Sequence, residues 1–113
     1  MLSRKYRFHS RGGVKYTYKK GKTIRTPKIS LIFTKNTKNH QRFGVVVSKK
    51  VLKSAVGRNR IRRHVFEAIR LELPNYSAKQ DCLFLIFSKD VKTMPFSELQ
   101  NIIHDLLTQS LTQ

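Results

Sequence analysis

The chain is poor in several residue types, and each scarcity excludes something. Cys82 is its one cysteine, so no internal disulfide and no paired-cysteine zinc site can form. A cytoplasmic setting is the simplest expectation. Only 6 of 113 residues are acidic, and they are spread over the C-terminal half. A two-metal nuclease centre, which needs clustered carboxylates, is not expected. The histidines His9, His40, His64 and His104 are scattered, with no HxxH or HExxH pair. No Walker loop or GxGxxG is present. No apolar run approaches the roughly 18 residues of a membrane span. The basic start, MLSRKYRFHSRGG, has no apolar stretch of signal-peptide length. No residue set reads as catalytic or metal-ligating.

What the chain has in excess is positive charge: 24 Lys and Arg, for a formal net charge of +18. Residues 1–66 hold 20 of these and no acid, a net of +20, while residues 67–113 hold 4 against 6 acids, a net of −2. Such a field destabilises the folded chain through self-repulsion, and a polyanion relieves it. Phosphate neutralisation releases condensed counterions and drives nucleic-acid affinity. The bland alternative is a solvated basic surface. An anionic membrane is a further rival, but it favours a basic amphipathic helix with a broad apolar face or a lipidation signal, and no such signal appears. With 39% hydrophobic residues the chain still carries enough for a core, and its length suits one domain, 1–113. Residues 1–13 read as a basic N-terminal arm.

The apolar pattern predicts six elements. Val14, Tyr16 and Tyr18 alternate as in a strand, but Val14 and Tyr18 also have helical spacing; a short helix ended by Gly21 is preferred. Residues 29–34 read as a strand, 36–41 as a hairpin loop, and 43–48 (FGVVVS) as a second strand. Residues 49–57 form a basic irregular crossing. A helix runs from Arg58 to about Leu73, with Ile61, Val65, Ala68 and Ile69 on one face and Pro74 at its end. Cys82 to Phe87 (CLFLIF) suits a strand buried on both faces. Pro95 opens a last helix with a stripe of Phe96, Leu99, Ile103, Leu106, Leu107 and Leu111. The order is α-β-β-α-β-α, an α/β (α+β) two-layer sandwich.

The sharpest motif is RNRIRR, Arg58 to Arg63, at the predicted start of the central helix. The helix dipole disfavours cations there, so stability alone does not place four arginines on it. At 100° per residue, Arg58, Arg60, Arg62 and Arg63 point to different sides. Arginine's planar fork suits phosphate, and free N–H donors at a helix start add to the attraction. Asn59 either contacts RNA or caps the helix. Ser48-Lys49-Lys50 follows the second strand, where α/β sheets favour ligands, but as an isolated signal it is weak and a charged turn is the more common reading. Phe8, Tyr16, Tyr18 and Phe33 are interleaved with Lys and Arg and could stack single-stranded bases; Tyr18 and Phe33 equally suit a core. Cys82, inside an apolar run, reads as an inert core thiol.

Phe43 to Arg70, FGVVVSKKVLKSAVGRNRIRRHVFEAIR, closely resembles the pattern of the bacterial ribonuclease P protein subunit. That pattern is a small-residue strand, SKK, about eight residues, then an RNR-type helix. Arg62 stands where the family usually has Lys, a charge-conserving change. A weaker likeness runs from Arg7-Phe8 to the last helix. The resemblance implies a central sheet packed by helices and a left-handed βαβ crossover, against the right-handed rule of about 98% of cases. It implies that a catalytic RNA subunit, with Mg²⁺ held mainly by that RNA, removes the 5′ leader of precursor tRNA, with one protein per RNA. It places Arg58, Asn59, Arg60, Arg62 and Arg63 on the RNA, Ser48, Lys49 and Lys50 just before the crossover, and Tyr18 beside a leader cleft. Val14 stands where the family commonly has Phe, and Gly12 and Gly13 weaken the first helix, so Tyr16 or Phe33 could substitute in stacking. The rivals are a ribosomal or other structural RNA-binding protein, a self-sufficient nuclease, and a DNA-binding helix module.

Overall fold

A computed structural model describes residues 4–8, 11–38, 40–76 and 78–112. The architecture follows from one strand that is apolar on both faces. CLFLI, residues 82–86, lies within β4, Gln80–Ile86, of which every residue but Leu85 is buried, while Phe87 falls just beyond the strand and is exposed. A strand of this kind needs neighbours on both sides. It finds β2, Ile29–Lys35, antiparallel on one side, and β3, Arg42–Val47, parallel on the other. The sheet order is β1-β2-β4-β3.

Two expectations are corrected here. Residues 36–41 do not close a β2–β3 hairpin, because β4 is inserted between those strands. Local alternation reports that a strand exists, not which strand it pairs with. A fourth strand, β1, Lys22–Arg25, was also not expected; it pairs antiparallel with β2 at the sheet edge. Its four residues carry one buried apolar side chain, Ile24, too few to show a period.

The helices are α1, Arg11–Lys20, α2, Ala55–Glu72, and α3, Phe96–Ser110. α1 confirms the helical over the strand reading of its alternation. α2 is the crossover between parallel β3 and β4 and packs against α3. Ile29, Leu31 and Phe33 of β2, Phe43 and Val47 of β3, and Cys82, Phe84 and Ile86 of β4 belong to one buried cluster. Ile61, Val65, Ala68 and Ile69 of α2, with Leu99, Ile103, Leu106 and Leu107 of α3, close it. Ile32 and Leu83 alternate onto the other face, where α1 contacts β2 and β4.

α2 starts at Ala55, not at Arg58. Ser54 is the N-cap, and its Oγ accepts from the Gly57 N–H at 3.1 Å. The helix begins while the chain is still crossing over, and Gly57 permits this: a Cβ there would lie 2.6 Å from Leu52 Cδ2. Asn59 is therefore not the cap.

Residues 4–8 are no free arm. Arg4–Tyr6 form one 3₁₀ turn, Arg7 bridges Phe43 in parallel, and the Phe8 N–H donates to the Phe43 carbonyl at 2.7 Å. The segment closes the otherwise open edge of β3, while Arg11–Gly13 already belong to α1. The rest of the expected arm, residues 1–3 and 9–10, lies outside the described residues.

Candidate nucleic-acid interface

The RNRIRR motif occupies the fourth to ninth positions of α2. The free N–H donors of the first turn thus belong to residues 55–57, not to the arginines, and Gly57's is taken by Ser54. The four guanidiniums are used differently. Arg58 Nη1 donates to the carbonyls of Leu52 (2.9 Å) and Lys53 (2.7 Å), tying the crossing segment to the helix. Arg62 Nη1 donates to Asn59 Oδ1 at 2.7 Å, so Asn59 orients an arginine. Arg60 and Arg63 are exposed. Ile61, between them, is buried. The arginines do not ring the helix evenly: Arg62 and Arg63 line one cleft with Asn59, Val56, Phe66 and Arg7, while Arg58 folds back.

Ser48, Lys49 and Lys50 are exposed at the C-terminal end of β3. The Ser48 carbonyl accepts from the Val51 and Leu52 N–H groups, which shapes the turn. Because 48–54 lead directly into α2, these lysines and the arginines share one end of the sheet.

The aromatics divide. Tyr16 and Tyr18 are exposed on α1, at 57% and 47%. Partial burial pushes the Tyr18 phenol above its usual value. Phe33 is 3% exposed and belongs to the core, which removes it as a stacking platform. It reaches only the floor of a cleft of about 240 Å³ rimmed by Lys20, Lys22 and Lys35. The ring of Phe8 carries the Arg42 guanidinium 4.5 Å from its centroid, next to Gly44. A Cβ on Gly44 would lie 3.2 Å from Phe8 Cβ, so glycine lets the N-terminal segment approach the sheet.

Arg42 is itself fixed. Its Nε and Nη2 donate to the two carboxylate oxygens of Asp81 at 2.8 and 2.7 Å, and Asn36 Nδ2 adds a third bond at 2.8 Å. The hydrogen bond that Arg42 donates to Asp81 raises the Arg42 pKa. The other acids near the sheet and α2 are engaged as well: Glu67 with Arg70, and Glu72 with His104. Among the described residues, no group of three or more His, Cys, Asp or Glu could hold a metal ion. Burial pushes the Cys82 thiol up to about 12, so it is no nucleophile.

Sequence reasoning missed Arg7, Arg42, Val46 and Leu85. The last two alternate onto the α1 face of the sheet yet remain half-buried. Arg7 and Arg42 lie in a region so rich in cations that neither stands out in the sequence.

Fold and site together define a class: a small basic α+β domain whose crossover helix carries a cluster of arginines. The family model for ribonuclease P matches residues 2–110. The ribonuclease P protein component of Chloroflexus aurantiacus is 37% identical over 109 residues, covering 96% of this chain and 80% of that protein. The Staphylococcus aureus RNase P protein superposes with a TM-score of 0.80 at 26% identity, over 93% of this chain and 94% of that one. The Thermotoga maritima RNase P protein shares the fold, with a TM-score of 0.81 at 24% identity, over 91% and 96% of the two chains. The chain belongs to the ribonuclease P protein family, as the SKK and RNR motifs implied.

Proposed function

We propose that the chain is the protein subunit of ribonuclease P and assists a catalytic RNA in removing the 5′ leader from precursor tRNA. The observation that carries this is the α2 arginine face. Arg60, Arg62 and Arg63 project from a buttressed helix, and no acid lines the cleft beside them. Such a face has phosphate as its natural counter-charge. The exposed tyrosines of α1, and the half-buried Val46 and Leu85 of the sheet, give the leader an apolar surface to lie on. Only the precursor carries a leader, so contact with it raises affinity for precursor over mature tRNA.

The chemistry falls to the RNA. Asp81, Glu67 and Glu72 are paired with Arg42, Arg70 and His104, and the Mg²⁺ of the reaction is assigned to the RNA rather than to this chain. The protein's part is to bind, orient and screen repulsion between two RNAs, as one copy per RNA in the cytoplasm.

Multiple-turnover cleavage of 5′-labelled precursor tRNA at low Mg²⁺ tests this, with protein alone, RNA subunit alone, and both. Cleavage at the mature 5′ end only with both is expected. Binding without enhancement favours a structural RNA-binding protein instead, and cutting by the protein alone overturns the division of labour.

A further inference from the structure

The cleft between the N-terminal segment and α2 contains a polar group that the fold leaves unmatched. Arg7 Nε is buried and has no hydrogen-bond partner among the described residues. A buried donor without an acceptor destabilises the free protein, and most native donors avoid that state. Arg7 is not loosely placed. Its backbone bridges Phe43, and the next residue donates to the Phe43 carbonyl.

The surroundings define what would complete it. The cleft, of about 420 Å³, is lined by Arg7, Val56, Asn59, Arg62, Arg63 and Phe66. Three of these are arginines and none is an acid. Glu67, four residues beyond Arg63, is paired with Arg70 at 2.5 Å. The Asn59 oxygen already accepts from Arg62. Three guanidiniums gathered in one cleft repel one another until an anion enters. Phe66 and the 76%-exposed Val56 supply an apolar wall. A phosphate oxygen for the guanidiniums and a ribose for the wall match this lining.

We infer that Arg7, with Arg62 and Arg63, clasps one phosphodiester of an RNA strand in this cleft, so that the RNA site spans the N-terminal segment as well as α2. The inference rests on the reading of the chain as an RNA-binding subunit. It gives the segment before α1 a binding role, with an arginine more than 50 residues from the RNR motif completing the site.

Arg7→Met tests it, because methionine keeps much of the apolar stem and removes the charge. Affinity for the ribonuclease P RNA, measured across a salt series, should fall about ten-fold or more. The slope of log K against log salt should shrink by less than one phosphate's share of about 0.7–0.9, because Arg62 and Arg63 still neutralise that phosphate. The free variant should melt no lower than the parent, since an unmatched donor has gone. Arg7→Lys keeps the charge without the fork and should restore the slope but only part of the affinity. Should Arg7→Met fail to fold, Arg7→Lys with Arg62→Met decides the matter: residues sharing one phosphate lose less together than the sum of their separate losses. Unchanged affinity overturns the clasp, and so do losses from the Arg7 and Arg62 variants that add in full. An Arg60→Ala control separates the two readings. If it weakens RNA binding and Arg7→Met does not, the clasp alone fails; if the parent protein neither binds the RNA nor enhances cleavage, the subunit reading fails.

Discussion

Asp81 is the acid on which the charged edge of the sheet depends. It is 5% exposed and holds Arg42 in a bidentate pair while accepting from Asn36. Arg42 in turn lies over Phe8, so one carboxylate anchors a cation, a loop and the N-terminal segment. Removing one partner of a buried pair costs about 3–5 kcal/mol. Arg42 is partly solvated, at 21% side-chain exposure, which lowers the figure. Asp81→Ala should destabilise by about 2–3 kcal/mol in urea unfolding; a loss within ~0.5 kcal/mol would show that water replaces the carboxylate. Arg60 is the opposite case. It is exposed, and the structure shows no part for it in holding the fold. Arg60→Ala should leave the urea midpoint unchanged, weaken RNA binding, and reduce the salt slope by about one phosphate's share. An unchanged slope would remove Arg60 from the interface.

Among the elements, α2 has two tasks that its sequence keeps on separate sides. Ile61, Val65, Ala68 and Ile69 bury one side, and Asn59, Arg62, Arg63 and Phe66 form another. Its C-terminal turn is locked to α3, where His104 Nδ1 and Glu72 Oε1 lie 2.5 Å apart. The hydrogen bond to Glu72 raises the His104 pKa. A histidine whose folded pKa is raised contributes stability that is fully present below its unfolded pKa of about 6.5 and is lost as pH rises through the folded value. Melting temperatures of the parent and His104→Gln should therefore differ most below about pH 6.5 and converge as pH rises through the folded value. A difference that grows with pH would show that the pair does not hold α2 to α3.

The whole molecule, with a radius of gyration of 13.0 Å, carries its +20 excess on residues 1–66. Those residues form α1, three of the four strands and the first two-thirds of α2. The charge is thus built into the framework and not confined to a tail. Two responses to salt should run in opposite directions. Raising NaCl from about 0.05 to about 0.5 M shortens the Debye length from about 14 to about 4 Å and should raise the melting temperature of the free protein. The same change should weaken its RNA affinity steeply. A melting temperature that falls with salt would mean that ion pairs such as Arg42–Asp81 outweigh the repulsion.

The sequence by itself determined the charge asymmetry, the RNR and SKK motifs, the core stripes of α2 and α3, and the two-sided burial of β4. These are properties of local pattern and composition, which a period or a motif reports directly. Only the tertiary structure decided that β4 lies between β2 and β3, that KTIR is an edge strand, and that Ser54 rather than a motif residue caps α2. It also decided that Phe33 turns into the core, that Arg58 ties down the crossing segment, and that Arg7 meets Arg62 and Arg63. The physical reason is the same in each case. Strand order, a side chain's choice between core and solvent, and the meeting of distant cations are set by contacts between remote segments, and local periodicity does not encode them.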